Sequence, residues 1–173
     1  MTHIEVRRGH LGDVDDAVSV YERANLARRQ GDWPSRPGRV AQVTTSLHDA
    51  ARHDAAAWFL IGRDGGEAVA MALIQPFRAG GGSGVVVVGT WFLSLIYVLA
   101  DRWGTGIGGR MLDAVIAEAN QRGCHQIYLW THECQNERAH RLYQSRRFAP
   151  TGRTMHDDEG KLIGEWCCDY ERT

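Results

Sequence analysis

The chain has 173 residues, a formal net charge of −1 and a hydrophobic fraction of 43%. That is enough apolar content for a real core, and one domain over residues 1–173 is the simplest organisation. With 20 basic against 21 acidic residues it carries no footprint for nucleic acid, and no apolar run approaches the ~20 residues that span a bilayer.

Met1-Thr2-His3-Ile4-Glu5 is polar and lacks an apolar signal segment, so a cytoplasmic protein with no membrane partner is expected. Ile4 to Arg7 alternates and predicts a first strand. Asp13 is placed to cap a helix, with Asp15 and Asp16 favouring its first turn. Val14, Ala17, Val18, Tyr21 and Asn25 recur at helical spacing. Gly31 to Pro37 breaks that helix. A second is predicted from about Val40 to His53, with Val40, Val43, Leu47 and Ala51 on one side. Trp58 to Gly62 and Ala68 to Ile74 read as strands joined by the tight turn Asp64-Gly65-Gly66. Arg78 to Gly84 is a glycine-rich loop and the expected mobile segment. Val85 to Val98 is long enough for a bent or bulged strand, and its apolar part, Gly89 to Ala100, reads as buried. A helix over Arg110–Arg122 follows, with Met111, Leu112, Val115, Ile116 and Ala119 facing the core. Gln126 to Thr131 is the next strand. Thr151–His156 and Ile163–Tyr170 make a last hairpin around Asp157-Asp158-Glu159-Gly160.

Cys124, Cys134, Cys167 and Cys168 form no C-x-x-C pair, so reduced thiols are expected. The eight histidines show no ligand spacing, so no metal site is predicted.

Chemistry concentrates between Leu93 and Phe148. After the strand comes Trp103-Gly104-Thr105-Gly106-Ile107-Gly108-Gly109, a glycine turn opening a helix. Free backbone N–H groups and the positive end of the helix dipole make such a turn an anion cradle. Further on, Asn136 and Tyr143 stand seven residues apart, on nearly one face of a helix. Together they suit a phosphorylated cofactor with a phenol nearby. Gly104-x-Gly106-x-x-Gly109 also satisfies the dinucleotide expression, with Glu133 near the acidic position. Against a nicotinamide enzyme, Leu99 to Trp103 separates strand from glycine, and too little chain follows Glu133 for a doubly wound sheet.

This block resembles the GNAT superfamily of acyl-CoA N-acyltransferases. Gly106-Ile107-Gly108 matches the end of its Arg/Gln-x-x-Gly-x-Gly/Ala turn, and Asn136, Ala139, Tyr143 and Phe148 match its Asn-x-x-Ala-x-x-x-Tyr helix. Two residues depart: Trp103 replaces the usual Arg/Gln, and Arg147 replaces the usual Gly before Phe148, where a left-handed cap would suit glycine. The resemblance implies an α/β GNAT fold: a central mixed sheet of about seven strands with helices on both faces, ordered β-α-α-β-β-β-α-β-α-β-β.

It further implies an acetyl-CoA-dependent N-acetyltransferase acting on a primary amine of a small molecule or peptide, with a homodimer as the family habit. The pyrophosphate would sit on the backbone of Trp103, Gly104, Thr105, Gly106, Ile107, Gly108 and Gly109. The pantetheine would follow Ile96, Tyr97 and Val98, held also by Asn136 beside Ala139. Asn136 fits equally as a plain N-cap. Tyr143 would protonate the leaving thiolate, since a phenol of pKa about 10 stays protonated at neutral pH. Candidate bases are His132, whose imidazole takes protons near neutral pH, Glu133 and Ser94; a water chain would serve as well. Tyr21, Trp33, Trp91 and Trp166 fit an acceptor pocket or simply a core. A non-catalytic acyl-CoA-binding module is the alternative on the same fold, and a nicotinamide oxidoreductase comes third.

Overall fold

The computed structural model describes residues 4–29, 37–53 and 56–170. Its elements are β1 (Ile4–Arg8), α1 (Val14–Arg28), α2 (Arg39–Arg52), β2 (Trp58–Asp64), β3 (Glu67–Arg78), β4 (Val86–Val98), α3 (Ile107–Gln121), β5 (Gln126–His132), α4 (Glu137–Gln144), β6 (Ala149–His156) and β7 (Leu162–Asp169). The strands make one seven-stranded sheet in the order β1-β2-β3-β4-β5-β7-β6. β4 and β5 pair in parallel, whereas β1–β2, β2–β3, β5–β7 and β6–β7 pair antiparallel. The sheet is therefore mixed, as the element order predicts. The break expected at Gly31–Pro37 falls almost wholly outside the described residues, as does Trp33.

Contacts group the chain into two compact units, Met1–Gln75 with Leu95–Val115, and Pro76–Ser94 with Ile116–Thr173. The first unit is built on the β2–β3 hairpin. Trp58, Phe59, Ile61, Met71, Leu73 and Ile74 are fully buried there with Val14 and Leu47. Gly65 and Gly66 both take positive φ, 56° and 91°, which a two-residue turn between right-twisted strands requires. Burying side chains of this size contributes about 1.5–3 kcal/mol each, so the hairpin is the mechanical base of the unit.

Asp13 corrects an expectation. It stands just before α1 but gives that helix no side-chain bond. Its carboxylate accepts two bonds from Arg7 (2.7 and 2.8 Å), one from Arg63 (2.8 Å) and one from the His10 backbone N–H (3.0 Å). The side chain is 2% exposed. At that depth a carboxylate needs paired charge more than a helix cap, and charge-assisted bonds are the stronger kind. The Arg7 bond leads in holding the Asp13 carboxyl far below the usual carboxylate range. The cluster fixes β1, β2 and the start of α1 together.

On α1 the buried positions are Val14, Ala17, Val20, Tyr21, Ala24 and Asn25, so Val20 takes the core place assigned to Val18; on α2, Ala50 is buried rather than Ala51. β4 is not buried along its length. Thr90, Leu93, Leu95 and Leu99 are interior, but Val85 and Val88 are 76% and 89% exposed. The ladder with β5 covers only Thr90–Phe92. The valines precede the first of those pairs and gain no cover from β5. The Arg78–Gly84 loop closes on itself through bonds from Ala79 N–H to Val85 O (3.1 Å) and Gly84 N–H to Ala79 O (2.9 Å).

α3 starts at Ile107, three residues before the predicted Arg110. Arg110 N–H already donates to Gly106 O at 3.2 Å. Gly108 and Gly109 thus lie in the first turn, where N–H groups have no intrahelical acceptor and a poor helix former costs least.

In the second unit, strand alternation sorts β5 and β7 into two faces. Ile127, Leu129 and Thr131 share one face with Gly164, Trp166 and Cys168; Tyr128, Trp130 and His132 share the other with Ile163, Glu165 and Cys167. α4 covers the first face. His140 stacks on Trp166 with centroids 5.0 Å apart, and the Cys168 thiol donates to Arg146 O at 3.3 Å. As expected of adjacent strand residues, Cys167 and Cys168 point to opposite faces. Burial pushes the Cys124 and Cys167 thiols up to about 11, so both stay protonated at neutral pH. No helix among the described residues is long and apolar enough to cross a membrane, and no three His, Cys, Asp or Glu residues among them gather as a metal site would require.

Candidate active site

The first unit supplies the glycine turn. A 3₁₀ turn at Ala100–Arg102 carries the chain from β4, and Gly104 (φ 81°) and Gly106 (φ 85°) swing it into α3. Both glycines use the left-handed region, and nothing stands within 4 Å of where a Cβ would sit on either. The turn therefore presents bare backbone to open space at a helix N-terminus, which is what an anion needs. The Thr105 hydroxyl donates to Arg102 O at 2.6 Å and braces the turn from within. Arg102 itself is drawn toward the β2–β3 hairpin, 3.9 Å from Asp64 and 3.7 Å from Glu67.

Trp103 is 38% exposed, and its indole N–H donates to Val98 O at 2.9 Å. Trp103, which stands where the family pattern has Arg or Gln, thus ties the turn to the last residue of β4. Of the predicted pantetheine-facing residues Ile96, Tyr97 and Val98, the third already has one carbonyl lone pair engaged. Tyr97 packs edge-on against Tyr21 at 5.2 Å, and burial pushes its phenol up. Tyr21 is a core residue, 3% exposed.

The second unit supplies the side chains. Asn136 occupies the N-cap position of α4 but makes no capping bond. Its amide N–H donates instead to the buried Thr131 hydroxyl at 2.7 Å, which fastens α4 to β5. Ala139 is half-buried on α4. Tyr143 is 7% exposed, its ring 6.0 Å from Phe148 and 6.2 Å from Trp166. Trp166, 4% exposed, is core here.

The end of α4 answers the question raised by Arg147. Phe148 N–H donates to Tyr143 O and Arg147 N–H to Gln144 O, both at 3.1 Å. This is a Schellman cap with Arg147 at its left-handed position (φ 65°) and Phe148 packing back on Tyr143. The helix ends as one with glycine would, and a β-carbon bears the strain. Gln135, just before the N-cap, also has positive φ (56°). Two strained non-glycine residues therefore bracket the helix that carries Tyr143.

His132, the last residue of β5, is bonded through Nε2 to Asp157 Oδ2 at 3.0 Å. By alternation its side chain belongs to the face opposite α4, so His132 and Tyr143 are not brought to one side of the β5–β7 pair. Glu133 turns the other way and lies over Gly164, where any β-carbon would collide with its carboxylate. Ser94 is half-buried on β4. Sequence reasoning missed Asp157, which it took only as the start of a turn, and Thr131. An Asp opening a hairpin turn was the available signal for the first; nothing marked the second.

The chain's residues 18–148 match the model of the acetyltransferase (GNAT) family. No curated protein matches the chain. Among solved structures, the ribosomal-protein-S18-alanine N-acetyltransferase of Escherichia coli aligns with a TM-score of 0.74 at 17% identity, over 99% of this chain and 96% of its own. An N-acetyltransferase from Staphylococcus aureus Mu50 aligns at 0.75 and 18%, over 97% and 99%. YncA of Salmonella typhimurium, solved with its cofactor acetyl-CoA, aligns at 0.72 and 20%, over 99% and 96%. At these identities the structures speak for the fold, and the family match covers most of the chain. The chain belongs to the acetyltransferase (GNAT) family and has its fold. It is an acyltransferase enzyme that takes acetyl-CoA as cosubstrate.

Proposed function

We propose that the protein moves the acetyl group of acetyl-CoA to a primary amine of a small molecule or peptide by direct attack. The observation that carries this reading is the glycine turn, whose left-handed Gly104 and Gly106 leave bare backbone before the N-terminus of α3. The pyrophosphate would rest on the backbone of Trp103–Gly109, without the Arg or Gln side chain of the family pattern. The pantetheine would follow Ile96–Val98, where β4 runs on past its three-pair ladder with β5. Backbone N–H groups there would also stabilise the oxyanion. Asn136 keeps its carbonyl oxygen and one N–H for the pantetheine arm while the other N–H holds Thr131.

In the proposed reaction the acceptor ammonium first loses a proton to solvent, because His132 lies on the face of the β5–β7 pair opposite Tyr143. The neutral amine attacks the thioester carbonyl, the C–S bond breaks, and the Tyr143 phenol protonates the thiolate. The second amine proton restores the phenol, and the first has already left with solvent. The products are an amide, CoA thiol and one proton. The enzyme is read as one domain acting in the cytoplasm, which suits thiols that burial keeps protonated.

The test is thermal stability with acetyl-CoA, CoA and NADPH in parallel, followed by thiol release across a panel of primary amines. A ligand at ~100 times its dissociation constant stabilises by about 2.7 kcal/mol, a rise of several degrees. A shift with acetyl-CoA and CoA only, then amine-dependent thiol release, is the expected result. The same shift with no thiol release from any amine would favour the non-catalytic binder, a reading that Trp103 in place of the pattern's Arg or Gln keeps open. A shift with NADPH alone would overturn the proposal.

A further inference from the structure

The valines at residues 85–88 stand open in a sheet that guards its other open strands. They are 76%, 44%, 37% and 89% exposed in chain order. Successive strand residues point to opposite faces, so both faces of β4 are open here. β3 lies along one edge of β4 and β5 along the other. On the β5 side the ladder begins at Thr90. Gly89 O still accepts the His125 N–H at 2.9 Å, and a β-carbon on Gly89 would collide with the His125 ring. Gly89 has a φ of 76°, and a left-handed glycine within a strand bends it. β5 itself starts at Gln126. Among the described residues, then, no strand pairs with Val86, Val87 and Val88 along that edge. The two outer strands of the sheet are built differently. β1 carries Glu5, Arg7 and Arg8. β6 carries Pro150 and Arg153, with a register shift between Pro150 and Thr154 around the left-handed Gly152 (φ 87°). Charge, proline and bulges are the devices that keep an edge from pairing with another chain. Residues 85–88 have none of them. No charged residue occurs from residue 79 to residue 100, and the Arg78 guanidinium donates into its own loop, to Gly84 O at 3.2 Å.

From this contrast we propose that Val86, Val87 and Val88 form the contact surface of a homodimer, pairing antiparallel with the same strand of a second copy across a two-fold axis. The inference stands on the edge alone and does not depend on the acetyltransfer reading. The occupant follows from the chemistry of the edge. An uncharged, β-branched strand offers a charged peptide no counter-charge. It offers an equally uncharged strand backbone hydrogen bonds and cross-strand valine packing. Antiparallel pairing of two identical strands is isologous, so each copy donates and accepts the same bonds. One such edge per chain closes the assembly at two copies, where a head-to-tail contact would go on growing. Four valines a side give less than the ~800 Å² per partner of a standard interface, so the dimer is weak and comes apart on dilution.

The test is sedimentation velocity of the full chain over a dilution series reaching about 100 μM. The wild type should pass from one copy to two as concentration rises and go no further. Two double variants follow, Val86→Lys with Val88→Lys, and Val86→Glu with Val88→Glu. Each should raise the concentration at which half the chains are paired by at least about tenfold, because like charges then meet across the two-fold axis. Mixed in equal amounts, the Lys and Glu variants should pair again, a rescue that loss of folding could not give. The replaced side chains are exposed and leave no cavity, so both variants should melt within a few degrees of the wild type. A wild type that stays a single copy throughout the series would leave the valines to another occupant and overturn the proposal. So would a dimer that the Lys pair does not weaken, or association that continues past two copies.

Discussion

The glycine turn and the β5–α4 segment are built differently, and the proposed function asks a different thing of each. The turn uses backbone: left-handed glycines, exposed N–H groups and a helix N-terminus. The β5–α4 segment uses side chains, each fixed by a named neighbour, Asn136 on Thr131, Tyr143 between Phe148 and Trp166, His132 on Asp157. On the proposed reading, a site made of backbone would tolerate Trp103 where the family pattern has Arg or Gln, because its donors belong to no side chain. A site made of side chains has no such tolerance. The same contrast shows in strain: glycine absorbs positive φ in the turn, whereas Gln135 and Arg147 bear it around α4.

The largest expected effect lies on the side-chain half. Tyr143→Phe keeps the ring between Phe148 and Trp166 but removes the hydroxyl, so amine-dependent turnover should fall by about 10²–10⁴-fold with the acetyl-CoA thermal shift intact. Unchanged turnover would mean that the tyrosine is a packing residue.

Next comes the backbone half, where paired variants decide whether the contrast holds. Gly106→Ala forces an L side chain into a φ of 85°, at a cost of about 1–2 kcal/mol in stability, and places a methyl group in the open space where the proposed function puts the pyrophosphate. The acetyl-CoA shift should be lost. Trp103→Ala removes the bond to Val98 but no backbone donor of the turn, and should weaken acetyl-CoA by less than about tenfold, 1.4 kcal/mol. Calorimetric titration that ranked these two in reverse would show that the turn binds through the indole.

The smallest effect is a gain. Arg147→Gly relieves the left-handed position of the α4 cap and should stabilise the protein by about 1 kcal/mol, raising Tm by roughly 2–4 °C. A lower Tm would mean that the Arg147 side chain contributes more than its backbone costs.

Much of this was legible in the residues. Hydrophobic spacing and turn chemistry are local, so element order, the Asp64–Gly66 hairpin, the glycine turn and the Asn136/Tyr143 helix could all be read from single stretches of chain. What the residues did not show was which partner a side chain would take. Asp13 looked like a helix cap, but Arg7, the His10 N–H and Arg63, six, three and fifty residues away, hold its carboxylate. Asn136 was drawn from capping by a hydroxyl on the preceding strand. The run from Gly89 is buried or half-buried up to Leu99, and the exposed valines all precede it.

The sequence by itself determined that a glycine turn opening a helix and a tyrosine-bearing helix exist in this chain, because both are written in short-range backbone preferences. Only the tertiary structure decided which partners those residues meet. It joined His132 to Asp157 across 25 residues, and by strand alternation it put that pair on the face opposite Tyr143. Pairing of that kind depends on sheet register, and register is settled by the packing of whole strands rather than by any residue's own preference.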